Sequence, residues 1–291
     1  METIGATYRG RLAPSPTGLL HRGHARTFWI AYQRALAAGG MLILRNEDLD
    51  PQRSQPQFVT GMLEDLAWLG IHWQEGPCAD GQGESGDFGP YTQSRRLPLY
   101  WQAWRKLRDT GAIYPCTCSR KDIARCTQAP HEDGAAHLDD EPIYPGTCRN
   151  NQASAMDYPE PAGVNWRFHV PEGEAITFED RHYGSQRYLA GRDFGDFLVW
   201  RRDDVPAYQL AVVVDDAAMQ ITEVVRGADL LLSTARQILL QRALRLQHPQ
   251  WYHCDLLLDE NGIRYAKRTD AQSLRNMREM GLAPEDLLKS F

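Results

Sequence analysis

Apolar residues come in short bursts, broken by polar stretches rich in glycine and proline. Arg9-Gly-Arg-Leu-Ala13 reads as a short strand running into Pro14-Ser-Pro-Thr-Gly18, a turn-forming stretch. After His21-Arg-Gly-His24 the pattern becomes helical through Ala38, and Gly39 and Gly40 supply the stop. Met41-Leu-Ile-Leu44 is an unbroken apolar run, as a buried strand requires, and it ends in Arg45-Asn-Glu-Asp48. Strand, helix and strand in that order make a βαβ unit.

A second helix is predicted from Ser54, a suitable N-cap, to Leu69, with Gly70 at its end. A third covers Arg95 to Asp109, before Gly111, and the glycine-rich, acidic stretch from Gly76 to Gly89 reads as a surface loop. From Tyr114 to about Gly191 the character changes, with clustered cysteines and a polar run from Gln128 to Pro142. Core-like sequence returns at Phe197-Leu-Val-Trp200 and at Ala207–Val214, followed by a helix from about Ser233 to Leu246. Trp251–Leu258, a turn at Asn261-Gly262 and a short tail complete the chain, and no internal repeat is visible. The expected organisation is an α/β core split in two, residues 1–113 and 192–291, around an insertion at 114–191.

Composition narrows the function classes. The net charge of −6 argues against a protein that coats nucleic acid through a broad basic face. It leaves room for RNA docking at a local patch, because binding follows the field at the contact face. No apolar run is long enough to span a bilayer and the first ten residues lack a signal-peptide pattern, so a cytoplasmic monomer without membrane contact is expected. Of the cysteines Cys78, Cys116, Cys118, Cys126, Cys148 and Cys254, four lie between 116 and 148. In a cytoplasmic chain that clustering reads more readily as a metal site than as a disulfide framework.

The segment Pro14–His24 has the parts of a phosphate site. A helix N-terminus presents unpaired N–H groups and a partial positive charge. Gly23 leaves room for a nucleotide, and His21 and His24 can donate to phosphate oxygens where charge builds up. An isolated His-x-x-His pair is also what two surface or capping histidines would look like. The whole string, Arg-Leu-Ala-Pro-Ser-Pro-Thr-Gly followed by His-x-Gly-His at a strand-to-helix junction, resembles the first signature of class I aminoacyl-tRNA synthetases, and within them the glutamyl branch. That resemblance implies a doubly wound, Rossmann-type catalytic core that binds ATP with Mg²⁺ and L-glutamate.

The second class I signature is a late lysine loop. Its place here is Arg264-Tyr-Ala-Lys-Arg268, where Lys267 matches the lysine expected on phosphate. Arg264 replaces the family's first lysine and Ala266 its serine. The resemblance also supplies a glutamate pocket: Arg11 and Ser15 on the first strand and turn, Glu47 after the second strand, Tyr208, and Arg226 in Val-Val-Arg-Gly. Two arginines, a glutamate and two hydroxyls match an amino acid with two carboxylates and one ammonium. Arg226 favours glutamate over glutamine, since the related glutaminyl enzymes lack an arginine there. The alternative for Arg11 and Glu47 is a structural ion pair with each other, and for Tyr208 an ordinary core position.

Cys116-Thr-Cys118 and Tyr144-Pro-Gly-Thr-Cys148 suggest a structural zinc ion, one per chain. The resemblance points to Tyr144 as the fourth ligand, while Cys126, His131 and His137 are alternatives in the same segment. After Lys267 too little sequence remains for the helical anticodon-binding region of a glutamyl-tRNA synthetase. In this the chain resembles a truncated branch, the glutamyl-queuosyl-tRNA(Asp) synthetases, which engage tRNA(Asp) through its anticodon loop. The competing expectations are a minimal enzyme that charges a tRNA 3′ end, and a non-catalytic module that binds ATP or tRNA.

Overall fold

The computed structural model describes residues 7–119, 121–123, 143–150, 155–257 and 273–291. Strand β1 (Arg9–Leu12) lies parallel to β2 (Met41–Leu44), joined by helix α1 (Arg22–Ala37) as the βαβ pattern predicts. Helix α2 (Pro56–Trp68) starts one residue later than a cap at Ser54 suggested: Gln55 occupies the cap, and Pro56 takes the first turn, where its missing N–H costs nothing. Helix α3 (Leu97–Asp109) likewise begins with a proline in its first turn, after a 3₁₀ turn at Gln93–Arg95. The stretch read as a loop carries a short antiparallel pair, β3 (Gly76–Pro77) and β4 (Glu84–Ser85).

Strand β5 (Ile113–Cys116) pairs antiparallel with β6 (Asn165–Phe168), and β6 with β9 (Leu198–Trp200). Strands β7 (Ala175–Asp180) and β8 (Gly184–Leu189) form a hairpin. They extend a sheet ordered β10 (Glu223–Gly227), β11 (Gln250–Cys254), β7, β8, in which β10, β11 and β7 run parallel. Strands from within 114–191 therefore share sheets with strands from beyond residue 191. Helices α4 (Tyr208–Ala218) and α5 (Leu231–Leu244) flank β10, and α6 (Leu274–Glu279) and α7 (Pro284–Leu288) follow.

Strand periodicity divides the core. Leu42, Leu44 and Val225 join one cluster with Ala25, Phe28 and Leu66, while Ile43 and Val224 join another with Trp104, Leu210 and Ile238. Alternate residues of a strand face opposite sides, so helices cover both faces of the parallel strands in a mixed α/β fold. Among the described residues no helix is long and apolar enough to cross a membrane.

Candidate active site

Strands β1 and β10 are the facing edges of two sheets, with β2 beyond β1 and β11 beyond β10, so the strand order reverses between them. The two strands touch near their starts, where Thr222 N–H donates to the Arg9 carbonyl at 2.9 Å and Arg9 N–H to Thr222 Oγ1 at 2.8 Å. Further along, the Arg11 side chain fills the gap and donates from Nη1 to the Val225 carbonyl at 3.0 Å. Ligands of open α/β sheets bind at such a switch point, beyond the carboxyl ends of the strands. A cavity of about 390 Å³ opens there, and Arg11, Ser15, His21, Gly23, His24, Glu47, Tyr208 and Arg226 all line it.

The signature turn is stitched to the end of β2. Arg45 N–H donates to the Leu12 carbonyl at 2.8 Å, Glu47 N–H to Pro14 at 3.1 Å and Gln55 N–H to Pro16 at 3.1 Å. His21 caps α1: its Nδ1 accepts the Gly23 N–H at 3.1 Å, and His24 Nδ1 accepts the His21 N–H at 3.2 Å. The first amides of the helix are thus partly satisfied by the histidines, where the sequence suggested unpaired donors. The capping and phosphate readings are compatible. With Nδ1 accepting, a neutral ring carries its proton on Nε2, so each imidazole remains a donor. A Cβ on Gly23 would stand 2.9 Å from His21 Cε1, so glycine here lets the imidazole fold over the helix start.

Arg11 and Glu47 do not form the ion pair with each other that the sequence allowed. Glu47 accepts from Arg45 Nη2 at 2.9 Å, Arg45 Nη1 donates to Asp216 at 2.7 Å, and Arg11 Nε stands 3.4 Å from the same Asp216 oxygen. Behind them Asp215 accepts from Arg96 Nε at 2.6 Å, Gln93 at 2.8 Å and Tyr100 at 2.8 Å. Burial raises Glu47 above the ordinary carboxylate value despite Arg45. Burial would raise Asp216 too, but the charges of Arg45 and Arg11 outweigh it and hold Asp216 low. Tyr208 is 39% exposed, so it is a cavity-lining side chain and not an ordinary core aromatic.

Arg226 is only 5% exposed. Its Nη1 donates to Gln237 Oε1 at 2.8 Å, its Nη2 to Thr234 Oγ1 at 2.7 Å and its Nε to His253 Nε2 at 3.1 Å. The sequence reading missed Arg45, Asp215, Asp216, Gln237 and His253. A signal existed for one pair: Asp215-Asp216 directly follows the apolar run Val212-Val-Val214, an uncomfortable place for two carboxylates without buried cations.

A second cavity of about 370 Å³ shares Ser15, Glu47 and Tyr208 with the first and is also lined by Asp50, Arg53, Gln93 and Arg201. Lys267, with Arg264, Ala266 and Arg268, lies outside the described residues.

The sulfurs of Cys116, Cys118 and Cys148 lie within 4.8 Å of one another, a group able to hold a metal ion. The Tyr144 hydroxyl joins them, 3.4 Å from Cys116 Sγ and 3.4 Å from Cys118 Sγ, and accepts the Cys148 N–H at 2.8 Å. A tetrahedral ion with metal–sulfur bonds of about 2.3 Å separates its sulfurs by about 3.8 Å, so these donors fit zinc in spacing and in softness. The alternatives Cys126, His131 and His137 lie outside the described residues.

Residues 7–291 match the family described as tRNA synthetases class I (E and Q), catalytic domain. The chain is 44% identical over 276 residues to the glutamyl-Q tRNA(Asp) synthetase of Nitratidesulfovibrio vulgaris, covering 94% of this chain and 82% of that one. It is 45% identical over 281 residues to the enzyme of the same name from Symbiobacterium thermophilum, covering 96% and 84%. A solved glutamate tRNA ligase from Elizabethkingia meningosepticum, in complex with its amino acid, is similar with a TM-score of 0.74 and 28% identity, covering 94% of this chain and 53% of that one. The cavity at the strand reversal, the His-x-Gly-His cap and these matches agree: the chain belongs to the class I tRNA synthetases of the E and Q type and is a ligase of that class.

Proposed function

We propose that this enzyme activates L-glutamate with ATP and transfers it to the queuosine at the wobble position of tRNA(Asp). One observation carries the choice of amino acid: buried Arg11, Arg226 and Glu47 meet with Ser15 and Tyr208 in one cavity, beside the two signature histidines. Two cations and an anion complement a dicarboxylic amino acid. The acceptor is carried by the names of the two relatives above, each a glutamyl-Q tRNA(Asp) synthetase.

In the first step the glutamate α-carboxylate attacks the α-phosphorus of ATP and pyrophosphate leaves. His21, Gly23 and His24 would line the phosphate path, His21 and His24 as donors, with Lys267 stabilising the charge on the departing phosphates. Mg²⁺ would accompany the nucleotide and screen its charge. In the second step a hydroxyl of the queuosine cyclopentenediol attacks the activated carbonyl carbon and AMP leaves. The second cavity, which shares Ser15, Glu47 and Tyr208 with the first, offers room for that acceptor. Cys116, Cys118, Tyr144 and Cys148 would hold a structural zinc ion that braces the chain around β5 and takes no part in the chemistry.

The decisive experiment is a mass map of the nucleotide glutamylated in tRNA(Asp). Glutamate on the anticodon queuosine supports the proposal. Glutamate on the terminal adenosine makes the chain a minimal glutamyl-tRNA synthetase. No glutamate-dependent ATP–pyrophosphate exchange under any condition leaves only a binding module.

A further inference from the structure

Arg226, His253 and Asp180 lie on three neighbouring parallel strands. Arg226 of β10 is the register partner of His253 of β11, and β11 pairs in turn with β7, which ends at Asp180. Their side chains form a line: Arg226 Nε donates to His253 Nε2 at 3.1 Å, and His253 Nδ1 lies 2.6 Å from Asp180 Oδ2. The imidazole and the carboxylate are wholly enclosed. At 2.6 Å from a carboxylate, Nδ1 must carry the proton, so Nε2 of the neutral ring keeps its lone pair for the guanidinium.

Asp180 is itself held. Its Oδ1 accepts the N–H groups of His182 at 3.0 Å and Tyr183 at 2.9 Å, and its Oδ2 accepts the His253 N–H at 3.1 Å. Burial alone would raise Asp180, but its hydrogen bonds from His253 and from these amides hold it below the ordinary value. Burial, then the charge of Arg226, pushes His253 down to about 4 against the pull of Asp180. The ring therefore stays neutral at physiological pH.

The acceptors that grip Arg226 (His253, Gln237, Thr234 and the Leu230 carbonyl) are all uncharged. A carboxylate at position 253 would grip the guanidinium as well, but it would also neutralise it. An imidazole between cation and anion transmits orientation and keeps the negative charge one ring away.

We propose that Asp180 and His253 are positioning residues that fix Arg226 while leaving its charge available to an incoming carboxylate, so that preference for a carboxylate over an amide is set by three strands together. This rests on the reading that Arg226 receives a carboxylate of glutamate.

The test is ATP–pyrophosphate exchange with glutamate and with glutamine in the wild type and in Asp180→Asn, His253→Gln and His253→Leu. In Asp180→Asn the amide oxygen is drawn to the backbone donors of His182 and Tyr183. The NH₂ then faces His253 Nδ1, which moves the ring proton to Nε2, where donor meets donor. The expected result is a glutamate KM raised roughly 10- to 100-fold and a narrower preference over glutamine, with the ATP KM within about twofold. His253→Gln returns an oxygen acceptor and recovers most of the affinity, and His253→Leu does not. Ring ¹⁵N shifts should report the Nδ1–H tautomer in the wild type and its loss in Asp180→Asn. An unchanged glutamate KM in Asp180→Asn, or an ATP KM that rises equally in every variant, overturns the inference alone. A wild type without glutamate-dependent exchange overturns the parent reading and this one with it.

Discussion

Arg45 and Asp216 meet at 2.7 Å in the interior, and the same guanidinium reaches Glu47 at 2.9 Å. This one wholly buried cation ties the end of β2 to α4 and holds two carboxylates at the back of the cavity. Arg45→Met leaves both without their main partner. Removing one member of a buried pair costs about 3–5 kcal/mol. An unfolding free energy from urea denaturation lowered by that amount is expected, and an unchanged value would show that the carboxylates find other partners.

Arg226→Gln keeps a polar side chain of similar length but removes the charge. The expected loss in kcat/KM for glutamate is roughly 10²–10³-fold, with the ATP KM nearly unchanged. Exchange kinetics at varied glutamate and ATP separate the two, and an effect confined to ATP would remove Arg226 from the amino-acid pocket.

Lys267→Ala should do the opposite. Stabilisation of developing phosphate charge is worth roughly 10²–10³-fold in rate, so exchange should slow by that factor while glutamate affinity and the unfolding midpoint hold. Wild-type exchange in this variant would mean that the phosphate cation lies elsewhere.

The cysteine group predicts about one zinc per chain by elemental analysis, because three sulfurs lie within 4.8 Å of one another and the Tyr144 hydroxyl lies 3.4 Å from two of them. Cys148→Ser should lower both the zinc content and the thermal midpoint, the latter by on the order of 5 °C. Full zinc content in Cys148→Ser would exclude Cys148 as a ligand.

Asp65 on α2 is fully buried, neither of its oxygens has a hydrogen-bond partner among the described residues, and Arg278 Nη1 is 3.8 Å away. Burial raises it from 3.8 to about 6, against the pull of Arg278 and Arg275. The folded state then binds this proton more tightly than the unfolded chain. Its stabilising contribution is complete at pH values below the unfolded pKa and is lost as pH rises through the folded one. Asp65→Asn should raise stability at pH 8 by on the order of 1–3 kcal/mol and flatten the stability profile between about pH 4 and 6. A profile identical to the wild type would show that Arg278 already compensates the charge.

The sequence by itself determined the local elements around the site and several of the residues that line it. Strand, turn, capping histidines and helix are consecutive, so their signals are short-range: an apolar run for β2, Pro and Gly for the turn, His21 and His24 at a helix start. Arg11, Glu47, Tyr208 and Arg226 were legible through a motif resemblance at separate points of the chain, and the fold brings them into one cavity. Only the tertiary structure decided what holds them there. The partners of Arg226 are 27 residues away at His253 and 11 away at Gln237, and Asp216 lies 205 residues from Arg11. No periodicity encodes such pairings, because a buried charge needs a partner within a few ångströms in space and is indifferent to separation along the chain. The sharing of sheets between 114–191 and the later strands was invisible for the same reason: β7 is a short, alternating strand whose neighbour, β11, follows some seventy residues later. Strand pairing is a contact between surfaces, and sequence composition marks a change of character without saying which edge the new strands will join.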